Sequence, residues 1–89
     1  DAKKKSVTKD NIPEILKEEV RRMLMYNEND ELDIFQPLSE LGIDSIMMME
    51  LRQIIKAVTN ITVPLSIITT PNLTLSKIFE YLKGKMNGN

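Results

Sequence analysis

Apolar and polar residues first fall into a helical rhythm at "IPEILKEEVRRMLMY". Ile12, Leu16, Val20, Met23 and Leu24 recur every three or four positions, and Lys17, Glu18, Arg21 and Arg22 fill the opposite face. Asn11 stands where a cap would sit, and Pro13 suits a first turn. The spacing predicts an amphipathic helix over about 12–26. The rhythm then stops. "NENDELDIFQPLSELG", Asn27 to Gly42, is rich in Asn, Asp, Pro and Gly and reads as a long loop, with Leu32, Leu38 and Leu41 pinning it to the core. Phe35 has no evident place in that scheme.

A second helical pattern opens at Ser45 and runs to Ala57 or Val58. The next stretch, "TNITVPLSIITTPNLT", is ambiguous. Ile61-Thr62-Val63 and Ile67 to Thr70 have strand propensity, whereas the short interval between Pro64 and Pro71 also suits one helical turn. The last helix is plainer. Thr74 is placed to cap it, Leu75, Ile78, Phe79 and Leu82 form its stripe, and Gly84 marks the approach of its end.

On a wheel of about 100° per residue, Met47, Met48, Leu51, Ile54, Ile55 and Val58 share one broad arc of the second helix. Ile46 and Met49 lie outside it, with Ser45, Arg52, Gln53 and Lys56. Two large apolar side chains thus flank a serine on the side that faces water. In one reading Asp44 or Ser45 caps the helix, and a small domain exposes a few hydrophobic residues. In the other, the serine is a modification site and its apolar neighbours form a docking patch. A helix N-terminus favours a phosphate, and methionine adapts to varied partners.

Composition narrows the classes. The 89 residues make one domain, and the 42% hydrophobic content is enough for a folded globule. A net charge of −1 argues against a nucleic-acid partner, and Lys3-Lys4-Lys5 reads as a solvated tail. There is no cysteine and no histidine, which excludes disulfides, the usual zinc sites and Ser-His or Cys-His nucleophile systems. Glu and Asp are plentiful, but no constellation pairs an acid and a base around a nucleophile. No apolar run approaches the ~20 residues of a membrane span, and "DAKKKSVTKD" lacks the core of a signal peptide, so a cytoplasmic location is expected. The two Asn-x-Thr triplets, at Asn60 and Asn72, are then chance matches to the glycosylation pattern. Polar ends give a flexible linker over 1–10, a domain over 11–84 and a second linker over 85–89, as in a piece of a longer chain.

"LGIDSI" resembles the phosphopantetheine attachment motif of acyl and peptidyl carrier proteins, Leu-Gly-x-Asp-Ser followed by Leu or Ile. A Gly-x-Asp-Ser tetrapeptide alone is a weak signal. Here an amphipathic first helix, a long loop, "PLSELGIDSIMMMELR", a short segment and "TLSKIFEYL" follow in family order, over about residues 12–83.

The resemblance implies an all-α fold, a small bundle of three main helices plus one short helix. It implies that a phosphopantetheinyl transferase moves 4′-phosphopantetheine from coenzyme A, with magnesium, onto Ser45, and that the domain catalyses nothing itself. The cofactor's thiol would hold an acyl chain as a thioester, and tethering would raise its effective concentration at partner enzymes. By position, Asp44 would aid transferase recognition, Gly42 would make the tight turn, and Leu51 and Ile55 would lie in the core. Ile46, Met49, Glu50 and Gln53 would meet partners.

The chain also departs from relatives. Arg52 and Lys56 beside Glu50 depart from the acidic second helix of free-standing fatty-acid carriers and favour a domain inside a modular synthase. Ile43 stands where peptidyl carriers often have a second Gly, which leans toward a polyketide-type acyl carrier. "TTPNLTLSKI" is longer than the common linker, and the chain lacks the Trp that marks some carriers used in β-branching. The expected partners are therefore the transferase, a ketosynthase, an acyltransferase and other synthase domains, met by a monomeric domain. A peptidyl carrier of a nonribosomal peptide synthetase is the alternative. From a different class, a helical interaction module using the Ile46/Met49 patch stays open.

Overall fold

The computed structural model describes residues 11–27 and 29–87. The expected N-terminal linker, 1–10, lies outside them, as do the last two positions of the C-terminal one. Five helices occur in order, α1 (Ile12–Met23), α2 (Leu38–Leu41), α3 (Ser45–Thr59), α4 (Leu65–Ile68) and α5 (Leu75–Asn87), with no strand among the described residues. Three are long and two are single turns, so the expected all-α bundle is present with one short helix more than the sequence suggests.

The core follows the stripes. Ile12, Leu16 and Val20 from α1 meet Leu51 and Ile55 from α3 and Leu75, Ile78 and Leu82 from α5, all buried. Leu38 is buried, and Leu32 and Leu41 are partly buried against this core, as their spacing in the loop predicts. Phe35 is 73% exposed.

Helix α1 stops at Met23 rather than continuing to 26. The Met25 N–H donates to the Arg22 carbonyl at 3.0 Å and the Tyr26 N–H to the Arg21 carbonyl at 2.9 Å, with Met25 in the left-handed region at φ 61°. That is the paired bonding of a Schellman turn. It usually announces itself with glycine or asparagine, and here the residue is methionine. Asn11 makes no side-chain capping bond, although its carbonyl accepts from the Ile15 N–H at 2.9 Å.

The loop beyond is tied down at both ends. Arg21 donates to the carbonyls of Asp30 and Asn27, and Asp33 Oδ1 accepts from the Phe35 N–H at 2.9 Å. The Ile34 carbonyl then accepts from Ser76 N–H at 3.0 Å, and Leu38 N–H donates to the Leu73 carbonyl at 2.8 Å. These two bonds fasten the loop to the start of α5.

Between Pro64 and Pro71 the helical turn wins over the strands. No described strand offers a ladder, and the hydroxyls of Thr69 and Thr70 donate to the carbonyls of Leu65 and Ser66, satisfying the end of a short helix locally. The two asparagines of the Asn-x-Thr triplets have a local explanation. Asn60 and Asn72 both have positive φ, 63° and 61°, a conformation asparagine tolerates. Asn60 ends α3, which extends to Thr59, just past the expected end.

At the C-terminus, Thr74 Oγ1 accepts from the Lys77 N–H at 3.2 Å, the capping role its position predicts. Gly84 does not end α5. The helix passes through it to Asn87, so residues 85–87, expected as linker, form its last turn. Met86 packs on the core beyond the glycine, and that burial offsets the entropic cost of an internal glycine.

Candidate functional site

The site lies where α2 hands the chain to α3. Gly42 ends α2 with φ 114°, a backbone state that a side chain resists. A Cβ there would also sit 3.3 Å from Leu24 Cδ2. The turn drives Ile43 into the core, where it is buried although it stands inside an otherwise exposed tetrapeptide. Asp44 follows in extended geometry and caps α3, its Oδ1 accepting from the Met47 N–H at 2.9 Å. Capping thus belongs to Asp44, which leaves the Ser45 side chain free of that duty. Ser45 is the first residue of α3 and is exposed.

The outer face of α3 continues as the wheel predicts. Ile46 is 71% exposed and Met49 39%, with Glu50, Gln53 and Lys56 also exposed. Met47, Met48, Ile54 and Val58 are partly buried against the core, and Leu51 and Ile55 are fully buried. Arg52 departs from the prediction. It is half-buried, and its Nε donates to the Val63 carbonyl at 2.7 Å.

Two features escaped the sequence. A shallow cleft of about 210 Å³ runs beside Ser45, its lining divided between apolar side chains such as Ile43, Met48 and Ile68 and polar ones such as Ser39, Asp44 and Thr70. Leu65 on α4 is 50% exposed. The signal for α4 was present in "PLSII", where one turn can bury only part of three apolar residues, but nothing local says which one faces out.

Residues 14–82 match the phosphopantetheine attachment site family, and the chain belongs to it. No curated protein and no solved structure matches the chain. The chain is therefore a phosphopantetheine-bearing carrier domain, of a family that holds 4′-phosphopantetheine covalently. Such domains are generally non-catalytic and work with phosphopantetheinyl transferases and synthase enzymes. Among the described residues no cluster of His, Cys, Asp or Glu is arranged to hold a metal, and no helix is long and apolar enough to cross a membrane.

Proposed function

We propose that Ser45 is the attachment point of 4′-phosphopantetheine, and that the domain carries acyl or polyketide intermediates within a modular polyketide synthase. The observation that carries this reading is the position of Ser45, exposed at the first turn of α3 with capping already done by Asp44.

The residues present suit the group. The opening N–H groups of a helix have no intrahelical acceptor and favour a phosphate ester on Ser45. The cleft beside the serine gives the arm an apolar wall at Ile43, Met48 and Ile68. When bound, the group supplies a thiol, which this cysteine-free chain lacks, to hold acyl chains as thioesters. Gly42 sets the turn that brings the serine to the surface, and Asp44 holds the helix start and offers the transferase a carboxylate. Ile46, Met49, Glu50 and Gln53 form the surface that partner enzymes read. Lys56 and Glu50, both exposed on α3, give its outer face both charges, which suits synthase partners better than a uniformly basic enzyme surface.

The test is intact mass after incubation with coenzyme A, magnesium and a broad-specificity phosphopantetheinyl transferase. The wild-type chain gains one phosphopantetheine and Ser45→Ala gains none. A gain that persists in Ser45→Ala moves the attachment elsewhere. Loading of the modified domain by an acyltransferase or ketosynthase supports the polyketide assignment, whereas loading by an adenylation domain replaces it with a peptidyl carrier.

A further inference from the structure

Arg52 is drawn away from the water-facing side on which its position on the helical wheel places it. Its Nε donates to the Val63 carbonyl at 2.7 Å across eleven positions of sequence, and the side chain is half-buried. Val63 itself is fully buried, so its carbonyl has little access to water. The next residue, Pro64, has no N–H to donate and is the cap of α4, its carbonyl accepting from the N–H groups of Ile67 and Ile68 at 3.0 and 3.1 Å. A helix of one turn has little stability of its own. Its orientation depends on what holds its first peptide, and Arg52 bonds the carbonyl immediately before it. Through Ile68, α4 walls the cleft beside Ser45, and through Leu65 it reaches the surface.

We infer that Arg52 is a positioning residue that straps α4 to α3, setting the cleft wall and outer surface of α4 relative to Ser45. Its work is done by the donor at the ε position and not by its charge. The functional half of this inference rests on the reading of Ser45 as the attachment point; the structural half does not.

Three substitutions separate donor from charge. Arg52→Gln keeps an N–H donor at the same distance along the side chain and loses the charge. Arg52→Lys keeps the charge and puts a methylene there. Arg52→Met loses both. Amide hydrogen exchange at Ile67 to Thr70 reads the hold on α4 directly, with the core amides of α1 and α5 as the internal reference. The expected result is exchange faster by about ten-fold at these amides in Arg52→Lys and Arg52→Met, with Arg52→Gln staying within about three-fold of wild type. Steady-state kinetics of phosphopantetheinylation then show a raised KM for the Lys and Met variants with kcat held, and a near-normal KM for Gln.

Equal exchange in the Gln and Met variants overturns the strap. So does a wild-type Lys variant beside an impaired Gln variant, which assigns Arg52 to a charge contact with partners. If wild type takes up no phosphopantetheine, the carrier reading of Ser45 fails, and the exchange pattern alone still decides the strap.

Discussion

Helices α1 and α3 pack on each other through the same kind of stripe, yet they treat water differently. The exposed positions of α1 are Glu14, Glu18 and Arg22, all charged. Those of α3 include Ile46 and Met49 beside Glu50, Gln53 and Lys56. α1 buries its apolar residues wholly or in part, and its outer face serves solubility. α3 has more apolar residues than one face can bury, and the surplus gathers within a turn of Ser45. Scattered surface hydrophobic residues need no explanation. A pair next to an exposed serine at a helix start, in a chain of the phosphopantetheine attachment site family, is where the proposed partner contact is placed.

The comparison breaks most sharply at the core. Leu16→Ala in α1 and Leu51→Ala in α3 both empty fully buried sites, and each should cost about 2–5 kcal/mol in denaturant unfolding. A Met49→Ala variant that lost as much would show that α3 has no distinct outer face. Gly42→Ala comes next. Its φ of 114° and the 3.3 Å approach to Leu24 predict a loss of about 1–2 kcal/mol, together with slower phosphopantetheinylation as the turn before Ser45 shifts. Asp44→Ala removes the cap and should cost about 1 kcal/mol, whereas Asp44→Asn keeps it. If the Asn variant keeps its stability but is modified more slowly, the carboxylate has a recognition role beyond capping. Ile46→Ala and Met49→Ala should change stability least, within about 0.5 kcal/mol, while raising the KM of partner enzymes for the carrier. Unchanged kinetics in both would leave the apolar surplus of α3 without the use assigned to it.

The parts of the fold legible in the sequence are those whose signal is local and periodic. The stripes of α1, α3 and α5 repeat over three turns or more, long enough for burial to select one face. The motif around Ser45 was legible through its resemblance to the carrier attachment motif, and the structure gives its residues local roles, a positive φ at Gly42 and a cap at Asp44. The apolar spacing overruns the end of α1 because the left-handed residue there is Met25 and not glycine. At the end of α5, Gly84 signals a stop that the packing of Met86 overrides.

Residue order alone therefore determined the three long helices, the serine that opens the second of them, and the apolar residues that this helix leaves outside its core face; that they form an all-α bundle was implied by the resemblance of "LGIDSI" and its flanks to carrier proteins. The helices and their faces follow from spacings of a few residues, over which backbone geometry dictates what shares a face. Tertiary structure decided the rest. It sent Ile43 inward, made "PLSII" a helical turn, opened the cleft beside Ser45 and turned Arg52 toward Val63. The cleft and the Arg52 bond have no local signature, because each depends on groups brought together only when the helices pack, whereas Ile43 and "PLSII" carried local signals that only packing resolved. A buried carbonyl eleven residues away can redirect an arginine whose position in its own helix points it at water.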